Sequence, residues 1–135
     1  MEEEIKELAV VTYLKQYGEE SLQNEHSIAI KQHEKYPELI SLSYDQLKSD
    51  FKQKCVQECR GLILNSKKDF EVVSFPYVKF FNYCEGNAAK IDWENEPRVY
   101  EKIDGSLMIL YFYNNEWNVS TTSLPGELKK KKKFY

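Results

Sequence analysis

The chain has 135 residues, 41% hydrophobic and 30% charged, which suits one soluble globular domain and excludes a disordered polymer. Net charge is −3, but residues 129–133 supply five lysines, and without them 14 basic residues face 22 acidic ones. A field of that sign does not draw in nucleic acid, so any polyanion contact must come from a few local cations.

The start of the chain, Glu2-Glu3-Glu4, lacks the apolar core of an export signal. No run approaches the ~18 apolar residues of a membrane span. An intracellular protein with no membrane partner is therefore expected. Cys55, Cys59 and Cys84 are odd in number, which points to reduced thiols in such a setting. The two histidines, His26 and His33, lack the paired spacing of a zinc site, and no metal site is expected.

In chain order, residues 2–17 place Ile5, Leu8, Ala9, Thr12 and Tyr13 at helical spacing. This predicts an amphipathic helix with an acidic first turn and Gly18 as its stop. Residues 19–35 are polar and give no clear signal. Pro37 precedes Leu39-Ile40-Ser41-Leu42-Ser43-Tyr44, a predicted strand. Asp45 is placed to cap a short helix with Leu47 and Phe51 on one face.

From Cys59 onward the character is β. Gly61-Leu62-Ile63-Leu64 reads as a strand, residues 65–69 as a polar turn and residues 71–75 as an alternating strand. Residues 77–83 form an aromatic segment holding one basic residue, Lys79, and residues 82–97 read as a loop. Residues 99–103, 107–113 and 116–122 then predict three consecutive strands, the last two joined at Asn114-Asn115. The whole predicts an α+β fold with a mostly antiparallel sheet.

Three cations stand inside these apolar or aromatic strands: Arg60, Lys79 and Lys102. Charged side chains are rarely buried unpaired. One explanation is an anionic ligand, with Arg60 as a forked donor and Lys79 as a point charge. The other is scaffold, with the three pairing to Glu58, Glu71 and Glu101. Lys102 also heads Lys102-Ile103-Asp104-Gly105-Ser106, where a lysine before a tight turn is placed to point into a cleft as a nucleophile. With 17 lysines, five aspartates and five glycines, Lys-x-Asp-Gly arises by chance about 0.02 times in such a chain. Asp104-Gly105 is equally the turn of a plain hairpin.

Three blocks together are more specific. Glu58-Cys59-Arg60-Gly61-Leu62-Ile63-Leu64, Val78-Lys79-Phe80-Phe81-Asn82 and Glu101-Lys102-Ile103-Asp104-Gly105-Ser106-Leu107 stand in an order and spacing that resemble the phage-type ATP-dependent RNA ligases. The resemblance runs from about Leu39 to Ser123. It implies a nucleotidyltransferase core in which Lys102 attacks the α-phosphate of ATP, with Mg²⁺ on the triphosphate, to give lysyl-AMP. AMP then passes to a 5′-phosphate RNA end, and a 3′-hydroxyl end displaces it. Arg60, Lys79 and Phe81 would contact the nucleotide, and Asp104 and Gly105 would set the loop.

A free lysine has a pKa near ~10.4, so burial among Tyr100, Leu107 and their neighbours, with Arg60 and Lys79 close by, would favour the neutral amine. Capping enzymes and DNA ligases share the lysine motif, but Arg60-Gly61 and the Lys79 block argue against them. A decayed or non-catalytic nucleotide- or RNA-binding domain is the non-enzymatic alternative.

The chain departs from the resemblance at Thr122, about where a basic residue is expected. The later glutamate, metal-binding carboxylate and lysine pair of the family are not in it. The expectation is thus a partial adenylyltransferase domain over residues 1–128 and a lysine-rich tail over 129–135. Such a truncated or split ligase would be weak or inactive without a downstream polypeptide to complete it.

Overall fold

A computed structural model describes residues 6–126. Helix α1 spans Ala9–His26, followed by β1 (Ile28–Gln32), β2 (Leu39–Tyr44), the short helix α2 (Lys54–Gln57), β3 (Arg60–Asn65), β4 (Glu71–Ser74), β5 (Met108–Tyr113) and β6 (Glu116–Thr121). Strands β1 to β4 form one sheet in sequence order, and β5–β6 form a second, with every pairing antiparallel. The expected α+β class and antiparallel sheets are what the chain forms.

Alternation along the strands makes two cores. Ile40 and Leu42 of β2, with Leu62 and Leu64 of β3, face the helices and pack with Val10, Val11, Leu14, Leu22 and Val56. Leu39 and Ile63 point to the opposite face, where they meet Tyr36 and Tyr111. The β5–β6 pair therefore packs through Tyr111 on the side of the large sheet away from α1.

The helix departs from its expected bounds. Its first residue is Ala9, no acidic residue stands in its first turn, and Leu8 at the cap position makes no side-chain cap. Residues 2–5 of the expected helix lie outside the described residues. The missing acceptor comes from far along the chain: the buried Glu58 carboxylate accepts the N–H groups of Ala9 (3.0 Å) and Val10 (3.2 Å). Gly18 breaks the helix, with φ 83° and ψ 175°, but helical structure resumes and continues to His26. The polar stretch 19–35 thus holds the second half of α1 and all of β1.

Three further expectations are corrected. Asp45 does cap, accepting from the N–H groups of Leu47 (2.8 Å) and Lys48 (3.0 Å), but it caps a turn rather than a helix, and Leu47 is 94% exposed. Residues 99–103 form no strand: Val99, Tyr100 and Ile103 are 77–87% exposed with no strand beside them, so their β-propensity has nothing to pack against. Finally, the Glu58 carboxylate faces α1 and makes no ion pair with Arg60, whose N–H instead donates to the Glu58 carbonyl (3.1 Å). The 129–135 tail lies outside the described residues.

One glycine joins the two sheets. Between Leu42 and Ser43 the β2–β3 register slips, so that Ser43 faces Arg60 and Gly61 is the extra residue of a bulge, at φ 83°. A Cβ there would stand 2.8 Å from the Thr122 Cα. The Ser43 hydroxyl donates to the Thr122 carbonyl beside it (2.5 Å). Only a residue without a side chain lets the end of β6 lie this close to β3.

Candidate functional site

The bulge that brings β6 in also fixes Arg60 at the very start of β3, next to the last residue of β2. There the Tyr44 N–H donates to the Cys59 carbonyl (2.9 Å), closing the sheet end. The aromatic segment then crosses this end, tied by a backbone bond from the Lys79 N–H to the Gln57 carbonyl (2.8 Å). Arg60 and Lys79 are both half-buried at this end of the large sheet.

Among the described residues neither cation is held by a carboxylate. The Arg60 guanidinium lies over the Phe80 ring at 4.9 Å. The Lys79 ammonium is surrounded by three rings, Phe51 at 5.1 Å, Phe81 at 5.5 Å and Tyr44 at 5.7 Å. The rings support one another: Tyr44 meets Phe51 edge-on at 4.9 Å, and Phe51 meets Phe81 edge-on at 6.3 Å. Among the described residues the ion pairs are Lys15 with Glu7 and Asp69, Lys35 with Glu116, and Lys102 with Asp104. Two positive charges thus stand uncompensated on an aromatic floor, in a chain whose sum is negative.

The structure brings Arg60, Lys79 and Phe81 together and leaves Lys102, Asp104 and Gly105 apart from them. Lys102 lies in an irregular segment, with its side chain 70% exposed and its Nζ donating to Asp104 Oδ1 at 2.5 Å. That bond holds the Asp104 carboxyl below its usual range. Gly105 sits at φ 143° in a bend, with open space where a Cβ would be. The expected cleft around Lys102 does not form, because Tyr100 and Leu107, which were to bury it, are themselves exposed.

Nearby groups do not compete for the cations. Burial pushes the Glu58 carboxyl up despite its two amide donors, and burial pushes the Cys59 thiol well up, with Cys55 raised for the same reason. The Cys59 thiol donates to the Cys55 carbonyl at 3.1 Å. Among the described residues no group of three or more His, Cys, Asp and Glu side chains is placed to hold a metal ion. No helix among them is long and apolar enough to cross a membrane. Tyr44 and Phe51, which complete the ring floor, are contacts the sequence did not announce. The aromatic count signalled rings, but which rings meet depends on the crossing of residues 77–83.

Comparison with known proteins converges on the same blocks. The pattern of a family described as RNA ligase matches residues 58–134, which take in Glu58, Arg60, Lys79, Phe81, Lys102, Asp104 and Gly105. A protein of Autographa californica nuclear polyhedrosis virus, named as a bifunctional polynucleotide kinase/RNA ligase, is 39% identical over 113 residues. That match covers 77% of this chain, and the chain spans 16% of the viral protein. No solved structure matches.

Proposed function

The chain belongs to the RNA ligase family, and from that premise we propose that it carries the nucleotide-binding part of an ATP-dependent ligase that joins 5′-phosphate and 3′-hydroxyl RNA ends. The observation that carries the proposal is the pair Arg60 and Lys79, converged at one sheet end and held on rings rather than carboxylates. A scaffold role would have paired them. Cations left uncompensated at the cost of partial desolvation suit an anionic ligand, and ring faces beside them suit a base.

In this reading Arg60 and Lys79 take the phosphates, and Phe81 shapes the pocket. Asp104 and Gly105 set the loop that presents Lys102. Lys102 leaves Asp104 and passes a proton to solvent water, which frees the lone pair of its neutral amine. Its Nζ lone pair forms a P–N bond to the α-phosphorus, and the bond to pyrophosphate breaks with its electrons. A 5′-phosphate oxygen of RNA then displaces the lysine from AMP, and a 3′-hydroxyl displaces AMP from the RNA end. Mg²⁺ would enter on the triphosphate of the ATP substrate and offset charge growing on the leaving pyrophosphate.

A second reading rests on Lys102 being exposed and held by Asp104: a domain that binds a nucleotide and does no chemistry. Two measurements decide. ATP with Mg²⁺ should raise the melting temperature, and Arg60→Ala should abolish that rise with little change in the apo value. Incubation with α-labelled ATP and Mg²⁺ should leave an acid-labile, alkali-stable label that Lys102→Ala does not carry. A thermal response to ATP without any label selects the binding domain. An Arg60→Ala protein that melts several degrees lower in the apo form, with ATP never mattering, selects scaffold.

A further inference from the structure

The three rings around Lys79 do something a carboxylate could not. An aspartate would hold the ammonium but cancel its charge, and any incoming anion would have to displace it. A ring quadrupole attracts the cation while leaving the net charge in place. Three rings centred within 5.7 Å of the ammonium also confine a side chain that otherwise has four rotatable bonds, so less freedom is lost when a ligand arrives.

We propose that Tyr44 and Phe51 are positioning residues for Lys79, holding its unneutralised ammonium at the sheet end so that it faces the oligophosphate chain of a nucleotide. The inference rests on the nucleotide reading above and adds residues to it. Tyr44 is anchored as the last residue of β2, opposite Ile28, with its N–H on the Cys59 carbonyl. Phe51 packs edge-on against Tyr44. Gln57 then clamps ring and lysine together: its Nε2 donates to the Phe51 carbonyl (2.6 Å), while its own carbonyl accepts the Lys79 N–H (2.8 Å). The Tyr44 hydroxyl makes no hydrogen bond among the described residues, so the ring alone is used. Phenylalanine should therefore serve at position 44, and leucine should not.

The test reads the cage and the ligand separately on the purified chain. By NMR, the ε-methylene protons of Lys79 should lie upfield of those of the other lysines, because of ring currents. Phe51→Leu and Tyr44→Leu should move them back, and Tyr44→Phe should restore them. In titrations with ATP and with inorganic tripolyphosphate, each leucine variant should weaken binding about two- to fivefold. In a Lys79→Ala background, Phe51→Leu should cost nothing further. A Lys79 signal without the upfield shift overturns the proposal, even if ATP binds and the nucleotide reading survives. An intact cage that binds tripolyphosphate but not ATP supports the positioning role and refutes the nucleotide. An intact cage that binds neither, or a Phe51→Leu loss that persists without Lys79, overturns the proposal.

Discussion

Replacing Gly61 with alanine should separate the two sheets. At φ 83° the backbone is in the left-handed region, which costs an L-residue about 1–2 kcal/mol. The new methyl would sit 2.8 Å from the Thr122 Cα and 3.2 Å from the Thr121 carbonyl oxygen. Both are backbone atoms, so no side chain can swing aside. Overpacking of this kind typically costs about 1–3 kcal/mol. Together the loss is about 3–4 kcal/mol, a large part of the roughly 5–15 kcal/mol that holds a domain. For a chain of this length that is a drop of roughly 10–20 °C in melting temperature.

Urea and thermal melts followed by far-UV circular dichroism would measure it. Hydrogen exchange should show where the strain goes, with Thr121, whose amide bonds the Leu124 carbonyl at 2.9 Å, losing protection before the β2–β3 ladder does. A Gly61→Ala chain within about 1 kcal/mol of the parent, with Thr121 still protected, would refute the argument that the bulge and the close approach require glycine.

Glu58→Gln reproduces the protonated carboxyl, with one carbonyl acceptor for two amides, and should melt close to the parent near pH 4. Because burial raises the Glu58 carboxyl, the folded state holds the proton more readily than the unfolded one. Its contribution is therefore full below the unfolded value and declines as pH rises through the raised folded value. From pH 4 to pH 7 the variant should gain stability relative to the parent in parallel melts, and a difference equal at both ends contradicts the shift. The outer face of β5–β6 exposes Met108, Leu110, Phe112, Trp117 and Val119 beside open strand edges, so the chain should self-associate at tens of micromolar. Light scattering should show that growth and its reduction in Phe112→Lys, whereas a compact monomer throughout contradicts it.

Much of this arrangement was legible because it is local. β2, β3 and β4 stood out as short apolar or alternating runs. Asn114 and Asn115 take the positive φ values of 51° and 60° that a two-residue hairpin turn demands. Arg60 and Lys79 were conspicuous as cations among apolar neighbours, and the sheet end does bring them together. What escaped is non-local. β1 was hidden because only Ile28 of its five residues is fully buried, with Ile30 half-buried against the same core and Ala29, Lys31 and Gln32 exposed. The strand expected over residues 99–103 failed for the converse reason, good propensity with no partner. Glu58 was read as a neighbour for Arg60, yet its work is at a helix 49 positions earlier.

That reach has a consequence for the order in which the chain takes shape. Gly18 divides α1 into pieces of nine and eight residues, each below the roughly 12–15 at which a helix holds in water unaided. Its first turn also lacks a local cap. When the ribosome has released residues 6–27, the segment therefore has neither the length nor the terminus to persist. It must wait for Glu58, which follows Ala9 by 49 residues, about 2–10 s later at ordinary elongation rates. The N-terminal helix is thus a late structure in time although first in sequence. It assembles only once the turn before β3 has emerged to receive it.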